Sequence, residues 1–311
     1  MNWKIKLIIL FAKLRKPIDG ASGISISKLR GKSVRFAKLG KLLFDETVTI
    51  QQTIDVTAAH IHLRIYKNSN RPNQPVIIYF HGGGFVFYGI ESHDNVCRRL
   101  CQMNDCIVVS VDYRLAPEFT FPIAHEDAFL ATQWVKNNIS TYGGNIDQLM
   151  VAGGSAGGNL AACMAQRCKK ENISLAAQIL IYPWIDGKLE NESIQRNGEG
   201  YLLTKETMFW FQTQYTPNPQ DHCNPAVSPC YETDCSNLTP AFILTAEFDP
   251  LIDDGLKYAQ QLKKADNIVK YKEYKGLVHG FFNIPKVDRE SMQAYYDIQE
   301  FIRELAKKNF Q

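Results

Sequence analysis

"LMVAGGSAGGNLAACMAQ", residues 149–166, passes from strand-forming residues through a small-residue turn into a helical run within a few positions. At its centre, Gly153-Gly154-Ser155-Ala156-Gly157 fits the G-x-S-x-G pattern of a nucleophile elbow. Such a turn swings sharply from strand to helix, strains the serine backbone and lifts its hydroxyl at the carboxyl edge of a sheet. A side chain at Gly153 or Gly157 would collide with the turn's own strand or helix. The following helix points its positive end at the same spot, which favours an oxyanion there. Chance alone yields many G-x-S-x-G matches, so the context decides. Here "QLMVA" leads in and a helix leads out, which makes Ser155 the candidate nucleophile.

An attacking serine needs donors for the negative oxygen it creates. "VIIYFHGGGFVFYG", residues 76–89, sets a buried-strand pattern against Gly82, Gly83 and Gly84. Glycine loses the most backbone entropy on ordering, so a triple is costly unless the backbone must come very close to something. Amides serve as oxyanion donors only where no side chain blocks the approach, and removing one such donor costs roughly 3–4 kcal/mol of barrier stabilisation. Gly83 and Gly84 are expected to supply two donors and Ala156, beside the nucleophile, a third. His81 is read as an anchor of the loop.

The serine also needs a base, and the base an orienting acid. "AFILTAEFDPLIDDG" puts Asp249 just past a strand, whereas Asp253 and Asp254 fall at a helix start and read as caps. "YKGLVHGFF" puts His279 on the loop after the last strand, with Gly280 giving the backbone room. The other histidines considered fit less well: His60 and His62 alternate along an early strand, His125 opens a helix, and His222 lies in an irregular segment.

These motifs sit on a regular frame. "VTIQQTIDV" and "HIHLRIY" alternate as exposed strands do, and "PVIIYF", "CIVVSV", "QLMVAG", "AQILIY", "AFILTAE" and "VKYKEY" follow. Helical stretches fall near 94–104, 123–138, 157–170, 253–265 and 289–308. The alternation predicts an α/β fold: a mostly parallel eight-stranded sheet flanked by helices. Residues 185–238 break the rhythm and carry a helix-like "KETMFWFQTQY", which makes them a lid candidate.

The chain's 311 residues and 45% hydrophobic content suit one large domain plus a lid. Its net charge of +3 hides an imbalance: residues 1–45 hold eleven lysines and arginines against Asp19 and Asp45. The rest is net acidic, which argues against nucleic acid as a partner. Eight cysteines without a tight C-x-x-C pair read as reduced structural thiols of a reducing compartment. The spacing of Cys223, Cys230 and Cys235 with His222 is irregular for zinc, so no metal is expected. In "MNWKIKLIILFAKLRKP" the apolar run is too short to span a bilayer and marginal for a secretion signal, despite the small residues Ala21–Gly23. As a helix it gathers Trp3, Leu7, Leu10, Phe11 and Leu14 into one arc. That arc either packs on the domain as part of a lid or meets a lipid surface.

Taken together, "YFHGGGF", "VDYRLAPE" with "FP" after it, "GGSAGGNLAA", "LIYPW", "EFDPLIDDG" and "VHGFF", in that order from about residue 60 to 282, resemble the hormone-sensitive-lipase-like family of α/β-hydrolase esterases. The resemblance implies a carboxylester hydrolase on the α/β-hydrolase fold, with a Ser155-Asp249-His279 triad, an oxyanion hole of Gly83, Gly84 and Ala156, and no cofactor. It implies a helical cap made of an N-terminal segment, residues 1–45, and an insertion at about 185–238 in a catalytic domain of residues 46–311. Relatives usually carry Asp or Thr where this chain has Gly154, so a brace of the elbow is missing. "DYRLAPE" reads as scaffolding, with Arg114 and Glu118 available for ion pairs.

The expected substrate is a small ester with a short-to-medium acyl group. Phe85, Phe87, Trp184, Trp210 and Phe281 are candidate walls of an apolar pocket, although each also suits a core. Lipase, amidase or lactonase activity would use the same machinery, and a non-catalytic receptor on this fold is the reading from another class. Further expectations are a cytoplasmic location, a peripheral membrane contact through residues 1–16 and a homodimer.

Overall fold

The alternation of strands and helices closes into one sheet in the computed structural model, which describes residues 1–13, 25–44 and 48–308. In chain order the strands are β1 (Gln52–Ala58), β2 (Ile61–Lys67), β3 (Gln74–Phe80), β4 (Ile107–Asp112), β5 (Gly144–Gly154), β6 (Ala177–Ile181), β7 (Ala241–Phe248) and β8 (Val269–Val278). Their order across the sheet is β1-β2-β4-β3-β5-β6-β7-β8. β2 runs antiparallel to both β1 and β4, and every pair from β4 to β8 is parallel. Antiparallel strands tolerate a solvated face, whereas parallel ones are covered on both, and the burial follows suit. β1 is largely exposed, while β6 is buried throughout.

Two layers of helix cover the sheet, and β3 shows how one strand serves both. Its Val76, Ile78 and Phe80 face a core shared with α4 (Ile123–Asn138), α5 (Ala156–Lys170) and α8 (Ile252–Lys264). Its Ile77 and Tyr79 face a second core shared with α3 (Ile90–Asn104) and α9 (Arg289–Lys308). Helix α3 starts earlier than its apolar pattern suggests, because Ser92 Oγ donates to the Gly89 carbonyl and accepts from the Gly89 amide.

The N-terminal arc is corrected by the packing. In α1 (Trp3–Lys13) the buried side chains are Ile5, Ile8 and Ile9, whereas Trp3 and Leu10 are 69% and 56% exposed. "LIIL" offers two overlapping apolar stripes, and tertiary contact selects the isoleucine row, which joins the α3/α9 core. Asn2 fixes that orientation by donating to the Val287 carbonyl at 3.0 Å and to Asp288. Leu14 and Ala21–Gly23 lie outside the described residues. Helix α2 (Ile26–Phe44) instead buries Leu29 in the α4/α5/α8 core. No helix among the described residues is long and apolar enough to cross a membrane.

Within residues 185–238 lie α6 (Glu192–Arg196) and α7 (Lys205–Tyr215), the latter coinciding with "KETMFWFQTQY". Asp253 and Asp254 do not cap α8, as the sequence suggested; they reach out to this segment. Asp254 accepts from the amides of Ile185 and Asp186 and from Asn191 Nδ2, and Asp253 accepts from the Ser193 amide. Four parallel strands end at one edge, and His81, Ser155, Asp249 and His279 each stand one residue beyond β3, β5, β7 and β8. Carboxyl ends of parallel strands are where α/β sheets bind ligands.

Candidate active site

Backbone crowding makes the elbow. Ser155 sits at φ 58°, ψ −120°, a left-handed region that a serine occupies only when its surroundings impose it. A Cβ on Gly153 would lie 2.2 Å from the Gly157 carbonyl oxygen, and one on Gly157 would lie 2.0 Å from that of Phe80. Both glycines are therefore required by their neighbours' main chain. The Ser155 amide donates to the Ile181 carbonyl at 2.9 Å, and α5 starts at the next residue.

His279 Nε2 stands 3.1 Å from Ser155 Oγ, and His279 Nδ1 stands 2.7 Å from Asp249 Oδ2. Asp249 is fully buried, and its other oxygen accepts from the Leu251 amide at 2.9 Å. An ionised carboxylate accepts only, so Nδ1 carries the proton and Nε2 is left to accept from the serine hydroxyl. Tyr182, which the sequence reading passed over, lies against this histidine with ring centroids 4.7 Å apart. Burial pushes its phenol well above the ordinary range, so it stays neutral.

Tyr182 also accounts for Gly154. A Cβ there would meet the tyrosine ring at 3.1 Å, so the ring occupies the space beside the elbow. The elbow's order does not need a side chain at 154, because Gly154 pairs with Ile181 in the β5–β6 ladder.

The glycine triple approaches the elbow closely: a Cβ on Gly82 would lie 2.9 Å from the Gly154 carbonyl oxygen. Gly83 and Gly84 take φ of 116° and 62°, and among the described residues neither amide, nor that of Ala156, donates to an internal acceptor. His81 anchors this loop: it is fully buried, stacks on Tyr113 at 4.1 Å, and its carbonyl accepts from the Tyr113 hydroxyl at 2.7 Å. His93, unnoticed in the sequence, accepts weakly from the Gly82 amide at 3.4 Å. Burial holds its imidazole down to about 3, so it stays neutral and able to accept.

Of the pocket candidates, Phe85 and Trp184 lie 5.9 Å apart in the α4/α5/α8 core, and Trp210 stacks on Phe87 at 5.6 Å. Phe281 is set apart from them: it packs with Tyr182 and Tyr274 in the α3/α9 core. Phe211 takes a place the sequence did not assign, its ring within 2.3–2.5 Å of where a Cβ on Gly84 would stand. In "DYRLAPE", Arg114 pairs with buried Asp127, and Glu118 pairs with Arg30 of α2.

Residues 77–283 match the family model described as alpha/beta hydrolase fold. An ethyl acetate hydrolase of Pseudomonas putida is 36% identical over 230 residues, covering 73% of this chain and 72% of that protein. Carboxylesterase NlhH of Mycobacterium tuberculosis is 36% identical over 280 residues, covering 88% and 87%. The solved hyperthermophilic esterase from the archaeon Pyrobaculum calidifontis superposes with a TM-score of 0.91 at 35% identity, over 98% of this chain and 99% of that one. Sequence, sheet order and neighbours agree, and the chain belongs to the α/β-hydrolase-fold family, among its hormone-sensitive-lipase-like carboxylesterases.

Proposed function

We propose that this protein is a serine carboxylesterase that cleaves short-to-medium acyl esters through an acyl-enzyme. Relatives named for ester hydrolysis support the activity class. The observation that carries the mechanism is the unbroken run Asp249–His279–Ser155 at 2.7 and 3.1 Å. Ser155 Oγ attacks the ester carbonyl carbon while His279 Nε2 takes its proton. The carbonyl π electrons move onto oxygen, which the amides of Gly83, Gly84 and Ala156 receive. Collapse breaks the bond to the alcohol, which leaves with the proton from Nε2. Water, deprotonated by the same nitrogen, then releases the acid and restores the serine.

Residues 1–45 and 185–238 are the proposed cap. Phe211 of α7, pressed on Gly84, supports a limit on acyl size beside the oxyanion amides, with Phe87 and Trp210 behind it. Eight unpaired thiols support a reducing, cytoplasmic setting. The outward Trp3 and Leu10, with Lys6 exposed between them, support contact of residues 1–16 with an anionic membrane surface. Flotation with anionic liposomes should fall when residues 1–16 are deleted, and equal flotation would end that reading.

Ser155→Ala tests the mechanism. It should lower turnover of p-nitrophenyl butyrate by about 10³-fold or more while the circular dichroism spectrum stays unchanged. Undiminished turnover would refute the assignment.

A further inference from the structure

The oxyanion loop holds an unfavourable shape. Gly83, Gly84 and Phe85 follow one another at φ 116°, 62° and 62°, and for a bulky aromatic residue the last is a strained conformation. Strain of this kind persists only where the surroundings over-determine it. Inside the loop, the Val86 and Phe87 amides both donate to the Gly83 carbonyl, at 3.1 and 2.9 Å. Outside it, the Ala116 amide donates to the Phe85 carbonyl at 2.8 Å.

Arg30 completes the frame. It comes from α2, in the N-terminal segment, yet its Nε donates to the Val86 carbonyl at 2.9 Å and its Nη2 to the Ala116 carbonyl at 2.8 Å. It thereby spans the two strips of backbone that the Ala116–Phe85 bond already joins. Glu118 aims the guanidinium with a two-point contact, Nη1 to Oε1 at 2.9 Å and Nη2 to Oε2 at 2.7 Å. The contact pulls the Glu118 carboxyl below its ordinary range. Val86 and Ala116 are both fully buried, so their carbonyls have no solvent to turn to.

We infer that Arg30 is a positioning residue for ester hydrolysis: through the Val86 and Ala116 carbonyls it sets the aim of the Gly83 and Gly84 amides, and so ties α2 to the oxyanion loop. A planar fork is needed to meet two carbonyls and a carboxylate at once, which lysine cannot do. The inference rests on the reading of Ser155 and the glycine amides given above. Donors that serve only the transition state should show in kcat and not in KM.

Arg30→Gln should lower kcat on p-nitrophenyl butyrate by about 10- to 100-fold, with KM changed by less than about twofold. Affinity for an arylboronic acid, whose tetrahedral serine adduct puts an oxygen at the same amides, should fall in proportion to kcat/KM. Arg30→Lys should recover part of the loss, and Glu118→Gln should lose about threefold. A kcat within twofold of wild type, a loss confined to KM, or unchanged boronate affinity would each overturn the inference. If Arg30→Gln melts below the assay temperature, Arg30→Lys carries the same comparison. Wild type that labels with a fluorophosphonate while Arg30→Gln keeps full kcat refutes this inference alone; wild type that fails to label refutes the hydrolase reading beneath it.

Discussion

The elbow at Ser155 and the glycine loop at 82–84 are both unusual turns at one sheet edge, but they are held in opposite ways. The elbow is held by the main chain of the sheet. Its constraints are all main chain: a Cβ on Gly153 or Gly157 would run into the Gly157 or Phe80 carbonyl, and the Ser155 amide is bonded to the Ile181 carbonyl of β6. Beyond its own turn bonds to the Gly83 carbonyl, the loop is held from without by the Arg30, His93, Tyr113 and Phe211 side chains and the Ala116 amide, drawn from four other parts of the chain. A turn locked by rigid strand main chain has one shape whatever residues 1–45 and 185–238 do. A turn locked by side chains from elsewhere has that shape only while those elements are in place. The elbow of the proposed nucleophile is thus fixed by the main chain of the sheet, and the proposed oxyanion donors by side chains that the assembled domain brings to them.

The sharpest way to break this comparison is to add one methyl group at two places in the elbow. Gly157→Ala sets a Cβ 2.0 Å from the Phe80 oxygen and 2.6 Å from that of His81, both rigid main chain. Strand β3 or α5 must move, and the expected cost exceeds about 4 kcal/mol, with activity falling below a hundredth. Gly154→Ala meets only the edge of the Tyr182 ring, at 3.1 Å. Its backbone is outside the left-handed region, so the reduced entropy of the unfolded chain offsets the contact. Its thermal midpoint should stay within about 3 °C of wild type. Melting curves and kcat for the two variants check both. Similar effects at 154 and 157 would show that the elbow is not locked by main-chain contact with β3.

The same contrast explains what could be read in advance. Small residues at 153, 154 and 157, a strand before them and a helix after them are neighbours in sequence, so the elbow was visible there. Asp249 was visible because it directly follows a buried strand and His279 because it lies on the loop after the last strand, and parallel strands end at one edge. Arg30 was not visible: a lysine- and arginine-rich helix gives no sign of which cation turns inward, and its partners are backbone carbonyls, which any residue carries. His93 looks like any polar residue on an amphipathic helix. Tyr182 had a usable signal, since it follows β6 at that same edge, but an aromatic after a buried strand usually means core. The inward face of α1 was misread because Ile5, Ile8 and Ile9 compete with Trp3 and Leu10 for one helix, and only the partner surface decides between them.

The insertion at 185–238 is also held from without, and one of its ties titrates. Asp254 is buried and accepts from Ile185 N at 2.8 Å, Asp186 N at 2.9 Å and Asn191 Nδ2 at 2.6 Å. Burial outweighs those donors and, with the Asp186 charge nearby, pushes the carboxyl up to about 7. Between about pH 4 and pH 7 the folded chain therefore keeps a proton that the unfolded chain has lost. This term favours folding most below that window and falls away as pH rises through it, by at most ~4 kcal/mol. Asp254→Asn removes the titration while one oxygen remains to accept from Ile185 and Asp186. The wild-type melting temperature, taken relative to this variant, should fall by several degrees between pH 5 and pH 8. Parallel pH curves for the two proteins would mean that Asp254 is ionised throughout. The segment 185–238 would then be tied by a permanent charge, as insensitive to pH as the main-chain contacts of the elbow.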